Sequence, residues 1–564
     1  MRIGRKWAAV GGLLCGVIVA IGIAATQRNN DHGKQTKMLS ARPPRGVVLI
    51  SIDTLRADHM SLYGYGRKTT PHIDAWAKNA IVFQQAVVQL PGTLPSHITM
   101  MTSLYPRQHG VYPPDHVLPA DIKTVAECFK EAKFKTAAFT EGGYVSARYG
   151  FSRGFDTFKD NLLFWKDVLT EAENFLATLK PSDSFFLFLH TYQVHDPYEP
   201  PDEYRHLFVS PDMDFNFPHP PEGDFLTEIN RGNLPTLPPA QVDALKALYD
   251  AEIRYMSDQF PRLLKALDLR GLRKHTMIMF TSDHGEEFME HGRFVHEQLF
   301  APTLRVPMII EVPGWSGRRE VKEVVETLDV APTLLSYAGI PIPDQFVGTD
   351  LIATAGQTAD QAATYSFSES FTDPEYAVQA RLDGRDYKLI LRDELEWEEE
   401  GWLVQTTDLV VHSNEPVFVL AAFHRPRRVS VYAQDQLVTV WDVSTELDEF
   451  RLPLPGPEDG FHSIRLVADT CDVPDEILGN GDKRCLSMLA RKTATVPLNQ
   501  VFVFDLQQDP AESNNIADEQ PRLTARLLKQ LNKQRDELNP VSQAVSVPLE
   551  PELEERLNAL GYLN

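Results

Sequence analysis

The chain has 564 residues, enough for two or three domains with their own cores. Its formal net charge of −23 speaks against a nucleic-acid backbone as partner, although small anions could still bind beside a cation. Glycine and proline are not in excess and no fixed period repeats, which argues against low-complexity and solenoid architectures.

From the N-terminus, Arg2, Arg5 and Lys6 precede an uncharged stretch from Trp7 to Ala25. That stretch is close to the roughly 20 residues of a membrane span. With the basic charge ahead of it, the remainder of the chain is expected to face outward. Residues 1–30 therefore read as an anchor in an inner membrane, with the rest of the chain on the periplasmic side. A cleaved signal, supported by the small residues Gly22 and Ala24, is the alternative and would make the protein secreted. Residues 31–44 form a polar linker.

Gly46–Asp53, Phe185–His190 and Thr276–Asp283 are short, apolar and rich in Val, Ile, Leu and Phe. They read as buried strands, separated by amphipathic stretches such as Val242–Leu269 with a kink at Pro261. This alternation predicts a mostly parallel α/β sheet sandwiched by helices. Ligands gather at the carboxyl ends of such strands, where Asp53, His190 and Asp283 stand. Thr93 opens a helix through Leu104, with Pro95 in its first turn. A helix start offers free N–H groups and partial positive charge, which favour a bound phosphate or sulfate and an alkoxide. Singly, Thr93 is more often an N-cap and Asp283-His284-Gly285 an ordinary turn. Together a hydroxyl, two carboxylates and an imidazole make a metal site with a nucleophile inside it.

Between Arg392 and Pro497 helical periodicity fades. Alternating runs appear at Pro416–Ala422, Arg428–Tyr432, Leu437–Val443 and His462–Val467. They predict a β-sandwich of about 100 residues set into the chain. Gln520–Glu537 is an amphipathic helix, and Glu550–Leu560 a last short one. Cys128 reads as buried on a helix. Cys471 and Cys485 bracket a loop rich in Asp and Gly and, in an exported chain, are expected to pair.

On these residues the chain resembles the sulfatase branch of the alkaline phosphatase superfamily. The resemblance runs through Leu49–His59, Thr70-Pro71-His72-Ile73-Asp74, Thr93–His97 with Tyr105-Pro106 and His109-Gly110-Val111, and Asp283-His284-Gly285-Glu286. It continues at Arg305-Val306-Pro307, Asp329–Leu334 and Asp505–Glu512. It implies an alkaline-phosphatase-like catalytic domain at 45–392 and a smaller C-terminal subdomain that resumes at 499–540. The β-rich insert at 393–498 then interrupts the family pattern, and 541–564 form a tail helix.

The departures bear on chemistry. Sulfatases carry Cys or Ser, oxidised to formylglycine, where this chain has Thr93, and a secondary alcohol cannot become that aldehyde by the same route. The usual arginine is His97, the usual lysine is His296, and the second of the paired aspartates is Thr54. The resemblance implies Asp53, Thr93, Asp283 and His284 as ligands of one divalent metal. An imidazole among oxygen ligands favours Mn or Zn, with Ca the alternative. His195 aligns with a substrate-side histidine, and His195 and His296 would assist the leaving group. Asp202 and His206 have a second-metal spacing but stand in a polar loop and read as rim; His109 reads as structural and His291 is left open.

The expected function is an exported, metal-dependent hydrolase of phosphate mono- or diesters, acting through Thr93 on a small-molecule, glycan or lipid ester. A literal sulfate-ester hydrolase is the second reading. A membrane-anchored transferase moving a phospho-group onto envelope glycans or lipids is the third. A catalytically silent binding protein is disfavoured, because such a chain would be expected to lose ligands. The loop Pro197–Pro238 is expected to form a lid or rim over the substrate.

Overall fold

The computed structural model describes residues 46–557 apart from short segments, among them 357–363, 393–399, 455–460, 478–484 and 494–499. The segment expected at 1–30 as anchor or signal and the linker to 44 lie outside the described residues. Among the described residues, no helix is long and apolar enough to cross a membrane.

The central sheet has eight strands: β1 (Gly46–Ile52), β2 (Ile81–Val87), β3 (Lys135–Phe139), β4 (Thr157–Lys159), β5 (Phe185–Thr191), β6 (Thr276–Thr281), β7 (Arg305–Glu311) and β8 (Arg319–Glu326). They lie in the order β8-β2-β7-β6-β1-β5-β3-β4. All pairings are parallel except those of β7, which runs against both β6 and β2. β1 is central and buried at all seven positions. Successive side chains leave a strand on opposite faces. Accordingly Val47 and Leu49 join one core with α1 (Thr93–Thr102), while Val48, Ile50 and Ile52 join another with α2 (Trp165–Thr178) and α3 (Pro239–Gln259). Both faces are covered, and this is why the strands read as continuous apolar runs rather than alternating ones.

The kink expected at Pro261 is a break between α3 and α4 (Pro261–Leu269). Pro261 lacks an N–H and can only open a helix, so α4 restarts there.

Beyond this sheet, β9 (Thr364–Glu369), β10 (Glu375–Leu382) and β11 (Arg385–Arg392) form an antiparallel sheet with β20 (Gln500–Asp505). Helix α5 (Pro521–Glu537) packs on it through Leu527, Leu528 and Leu531. Between β11 and β20 the chain makes two further four-stranded sheets. One joins β12 (Glu400–Val404), β14 (Val417–Ala422), β17 (Asp448–Arg451) and β19 (Leu486–Arg491). The other joins β13 (Thr406–His412), β15 (Arg427–Ala433), β16 (Gln436–Val443) and β18 (Phe461–Ala468).

Phe418, Leu420 and Met488 from the first sheet and Val431, Trp441 and Ile464 from the second share one core, making a sandwich. Four of its strands match the alternating runs read from sequence. The other four were missed: β17, for instance, is a polar edge segment, Asp-Glu-Phe-Arg. Cys471 and Cys485 are disulfide-bonded and Cys128 is buried and free. Most of the final helix expected at Glu550–Leu560 lies outside the described residues.

Candidate active site

The end of β1 delivers Asp53, the end of β5 delivers His190, and the turn after β6 delivers Asp283 and His284. β1 pairs with β5 and β6 in parallel register, Ser51 facing His190 and Thr281, so these residues leave the sheet at one level. The turns are tied together. The Thr54 amide donates to Asp283 Oδ1 at 3.3 Å and the Leu55 amide to Ser282 Oγ at 3.0 Å. Thr54 pays for this with a left-handed backbone, φ 53°, which a β-branched residue rarely adopts.

Helix α1 brings its first residue, Thr93, to the same point. The residue before it, Gly92, is the N-cap and makes no side-chain cap bond, so the N-cap role that Thr93 alone would suggest is not the one it plays. Thr93 Oγ1 lies 3.4 Å from His284 Nε2. His284 Nδ1 donates to the Gly285 carbonyl at 3.0 Å, which turns Nε2 and its lone pair toward the site. His284 Nε2 is 3.4 Å from Asp283 Oδ2 and 3.9 Å from Asp53 Oδ1.

Two histidines outside the ligand set implied by the resemblance complete the cluster. His190 Nε2 is 3.3 Å from Asp53 Oδ2. His97, one turn after Thr93 on α1, donates from Nδ1 to the Thr93 carbonyl at 2.8 Å and lies 3.4 Å from Asp283 Oδ2. Its Nε2 is 3.0 Å from Ser51 Oγ. The spacing of four residues on a helix could have placed His97 beside Thr93. His190 is in the cluster because it stands one residue before the carboxyl end of its strand.

The whole cluster is buried. Burial, and next the Asp283 carboxylate, push Asp53 well above the usual carboxylate range. Burial also disfavours charge on Asp283, but the imidazoles of His284, His97 and His190 outweigh it and hold Asp283 at about 2. Burial lowers His284 to about 4. Asp53 Oδ1 and Asp283 Oδ2 are buried without a hydrogen-bond partner among the described residues. Two buried carboxylates with orphaned oxygens beside imidazole nitrogens fit a divalent cation. Their ligand atoms satisfy this twice, as Asp53, Asp283 and His284 and as Asp53, His97 and His190, with all atoms of each group within 4.8 Å of one another. Mixed oxygen and nitrogen donors suit Mn or Zn.

Thr93, His195 and His296 line a cavity of about 400 Å³ together with Tyr144, Arg231 and Phe371. His195 Nδ1 donates to the Asp196 carbonyl at 2.7 Å. The His296 ring lies 4.3 Å from that of His284 and 5.9 Å from that of His195, centre to centre. Burial, and then His195, lower His296 to about 4, so its ring is neutral at pH 7. Glu286, 3.6 Å from His296, is raised to about 7 by burial. Gly223 and Thr227 also line the cavity, so the segment expected as a loop at 197–238 contributes to the wall through a helix, Gly223–Asn230, and the adjoining Arg231.

Asp202 and His206 are exposed. His109 is buried away from the cavity, 3.2 Å from Thr99 Oγ1. His291 bonds Glu287 at 2.5 Å and stacks on Phe300.

Gly285 lets this turn close. Its amide donates to Thr303 O at 2.8 Å, and a Cβ there would run into the Pro302 carbonyl oxygen. Gly285→Ala should therefore displace His284 and weaken divalent-cation affinity about 10–100-fold, the effect of disturbing a ligand's support. Titrating Mn or Zn into the variant checks this, and wild-type affinity would refute it.

The family model described as Sulfatase matches residues 45–340, more than half of the chain. The chain belongs to the sulfatase family. It is thereby a hydrolase acting on ester bonds. A second model, N-sulphoglucosamine sulphohydrolase, C-terminal, matches 289–399. An ulvan-active sulfatase of Formosa agariphila is 27% identical over 342 residues, covering 54% of this chain and 64% of that protein. Human iduronate 2-sulfatase is 26% identical over 427 residues, covering 61% and 76%. Among solved structures, a protein in complex with its substrate D-glucosamine-2-N,6-O-disulfate superposes with a TM-score of 0.58 at 16% identity, covering 88% of this chain and 98% of that one. The phosphonate monoester hydrolase of Agrobacterium radiobacter superposes with 0.56 at 16% identity, covering 90% and 100%. These superpositions agree with the alkaline-phosphatase-like sulfatase fold.

Proposed function

We propose that the chain is an exported, divalent-cation-dependent hydrolase in which Thr93 Oγ1 attacks a phosphate ester, a mono- or diester of a small molecule, glycan or lipid. The observation that carries this is the placement of Thr93 Oγ1 beside His284 Nε2, at a helix start, among two carboxylates with orphaned oxygens. Asp53, Thr93, Asp283 and His284 would hold one cation, Mn or Zn. When bound, it would polarise a non-bridging oxygen and lower the pKa of the Thr93 hydroxyl.

Thr93 Oγ1 attacks phosphorus in line, its proton leaving to water. A Thr93 phosphoester forms as the bond from phosphorus to the leaving oxygen breaks. His195, when its Nε2 carries a proton as well as Nδ1, gives that proton to the departing oxygen, and neutral His296 offers its N–H to the developing charge. Water then hydrolyses the Thr93 ester and restores the hydroxyl. His97 and His190 hold Thr93, Asp283 and Asp53 in place.

The same residues could act on a sulfate ester with unmodified Thr93. The names of the relatives favour that second reading, since each is a sulfatase. We also propose anchoring or export through residues 1–30, and units at 45–392, 393–498 and 499–540. The test is turnover of a chromogenic phosphodiester, phosphomonoester and sulfate ester side by side, with Mn, Zn or Ca. Phosphoester turnover that requires Mn or Zn is expected. Sulfate turnover alone would replace the first reading with the second, and turnover untouched by a chelator would dismiss the cation.

A further inference from the structure

The sheet has a second end. Gly46 of β1 is level with Phe185 of β5 and Thr276 of β6, and Lys135 of β3 is level with Phe185. The segments that lead into these strands therefore share the edge opposite the active site. The antiparallel β7 runs down to the same edge and turns there into β8. Hydrogen bonds stitch these segments together. Arg270 Nη2 donates to Leu179 O at 2.8 Å, the Lys135 amide to Ser184 O at 2.9 Å, and the Arg319 amide to Ala80 O at 3.0 Å.

The charge of this edge is opposite to that of the chain. Segments 78–80, 130–135, 180–184, 268–275 and 311–320 hold ten lysines and arginines against five carboxylates, in a protein of net charge −23. Lys133, Lys180, Arg270 and Lys274 are exposed. Next to Arg270 in the chain, Leu269 stands 76% exposed. Basic side chains around a protruding aliphatic one match a surface of anionic headgroups over hydrocarbon. The chain also enters the sheet at this edge, at Gly46, downstream of the uncharged stretch Trp7–Ala25. Twenty intervening residues reach at most about 70 Å.

We propose that this edge seats on an anionic lipid bilayer, with Leu269 entering the headgroup layer. The cavity at Thr93 then opens on the far side, away from the lipid. The seating is independent of the reaction proposed for that cavity.

The test uses the full chain on phosphatidylcholine vesicles with and without phosphatidylglycerol. The stretch Trp7–Ala25 can bring the chain to either vesicle, so the readout is local: amide hydrogen exchange along 130–135 and 268–275. Exchange there should slow about fivefold or more when phosphatidylglycerol is present. High salt should reverse the effect. The variant combining Lys133→Glu, Lys180→Glu, Arg270→Glu and Lys274→Glu should lose it. The salt reversal needs no variant and stands if that one fails to fold. Equal exchange on both lipids, or protection at 223–231 on the cavity wall instead, would overturn the proposal. So would protection of this edge by an acidic protein and not by phosphatidylglycerol.

Discussion

Thr93→Ala is expected to lower kcat/KM on the order of 10⁴-fold while the fold and the bound cation survive. The start of the helix does not rest on the Thr93 side chain, although its hydroxyl interacts with His284 and Asp53. Gly92 caps the helix, and no side-chain cap bond is lost when the hydroxyl goes. Alanine suits a helix better than threonine does. Thr93 is 2% exposed, so the variant loses a buried hydroxyl and methyl, which affects packing modestly. Asp53, Asp283 and His284 remain to hold the ion. Thr93→Ser keeps an oxygen at the same point and should stay within about tenfold of wild type. Steady-state kinetics on the best chromogenic ester, paired with metal analysis and near-ultraviolet circular dichroism, makes the measurement. A well-folded, metal-loaded Thr93→Ala protein with wild-type turnover would end the assignment.

Asp53→Asn should change the sign of its effect on stability with the state of the site. In chelator, the folded chain buries two carboxylates against each other, and Asp53 resists ionisation because of burial and Asp283. A neutral amide of the same shape relieves this, so the variant should be more stable than wild type by about 1–3 kcal/mol. With Mn or Zn the order reverses. Ion at a thousand times its dissociation constant stabilises wild type by about 4.1 kcal/mol, more than the variant's advantage in chelator, and the variant forfeits most of that.

The pH sign follows from the same shift. Asp53 is raised in the folded chain, so its contribution is fully present below the unfolded pKa and is lost as pH rises through the raised value. Cation-free wild type should therefore lose stability with rising pH across that interval, and Asp53→Asn should lack this slope. Thermal unfolding with and without chelator reads both effects. The same rank order in the two conditions would mean that Asp53 is not a ligand.

The sequence was most informative where one force acts alone. β1, β5 and β6 are buried on both faces, so their apolar runs reveal them, and parallel pairing brings Asp53, His190 and Asp283 to one level. The helix at Thr93 was legible from Pro95. The sandwich was half legible: Val429 and Val431 alternate with polar neighbours, whereas β17 is an edge strand whose side chains are mostly exposed. His97 was read only as a replaced arginine. What it does depends on Ser51 and Asp283, which are 46 and 186 residues away along the chain, and no local pattern contains that geometry. The cavity wall from Gly223 to Arg231, mostly a short helix, and Phe371 likewise come from distant segments.

The sandwich has a property that follows from its points of attachment. Arg392, where the chain leaves for it, pairs directly with Gln500, where the chain returns. The entire excursion thus occupies the place of a hairpin turn between two neighbouring antiparallel strands. A short turn joining these residues would preserve the register of β11 with β20, and with it the order of the C-terminal sheet. In connectivity the sandwich is a side branch: its length can change without shifting the pairing of any strand in the sheet that carries it.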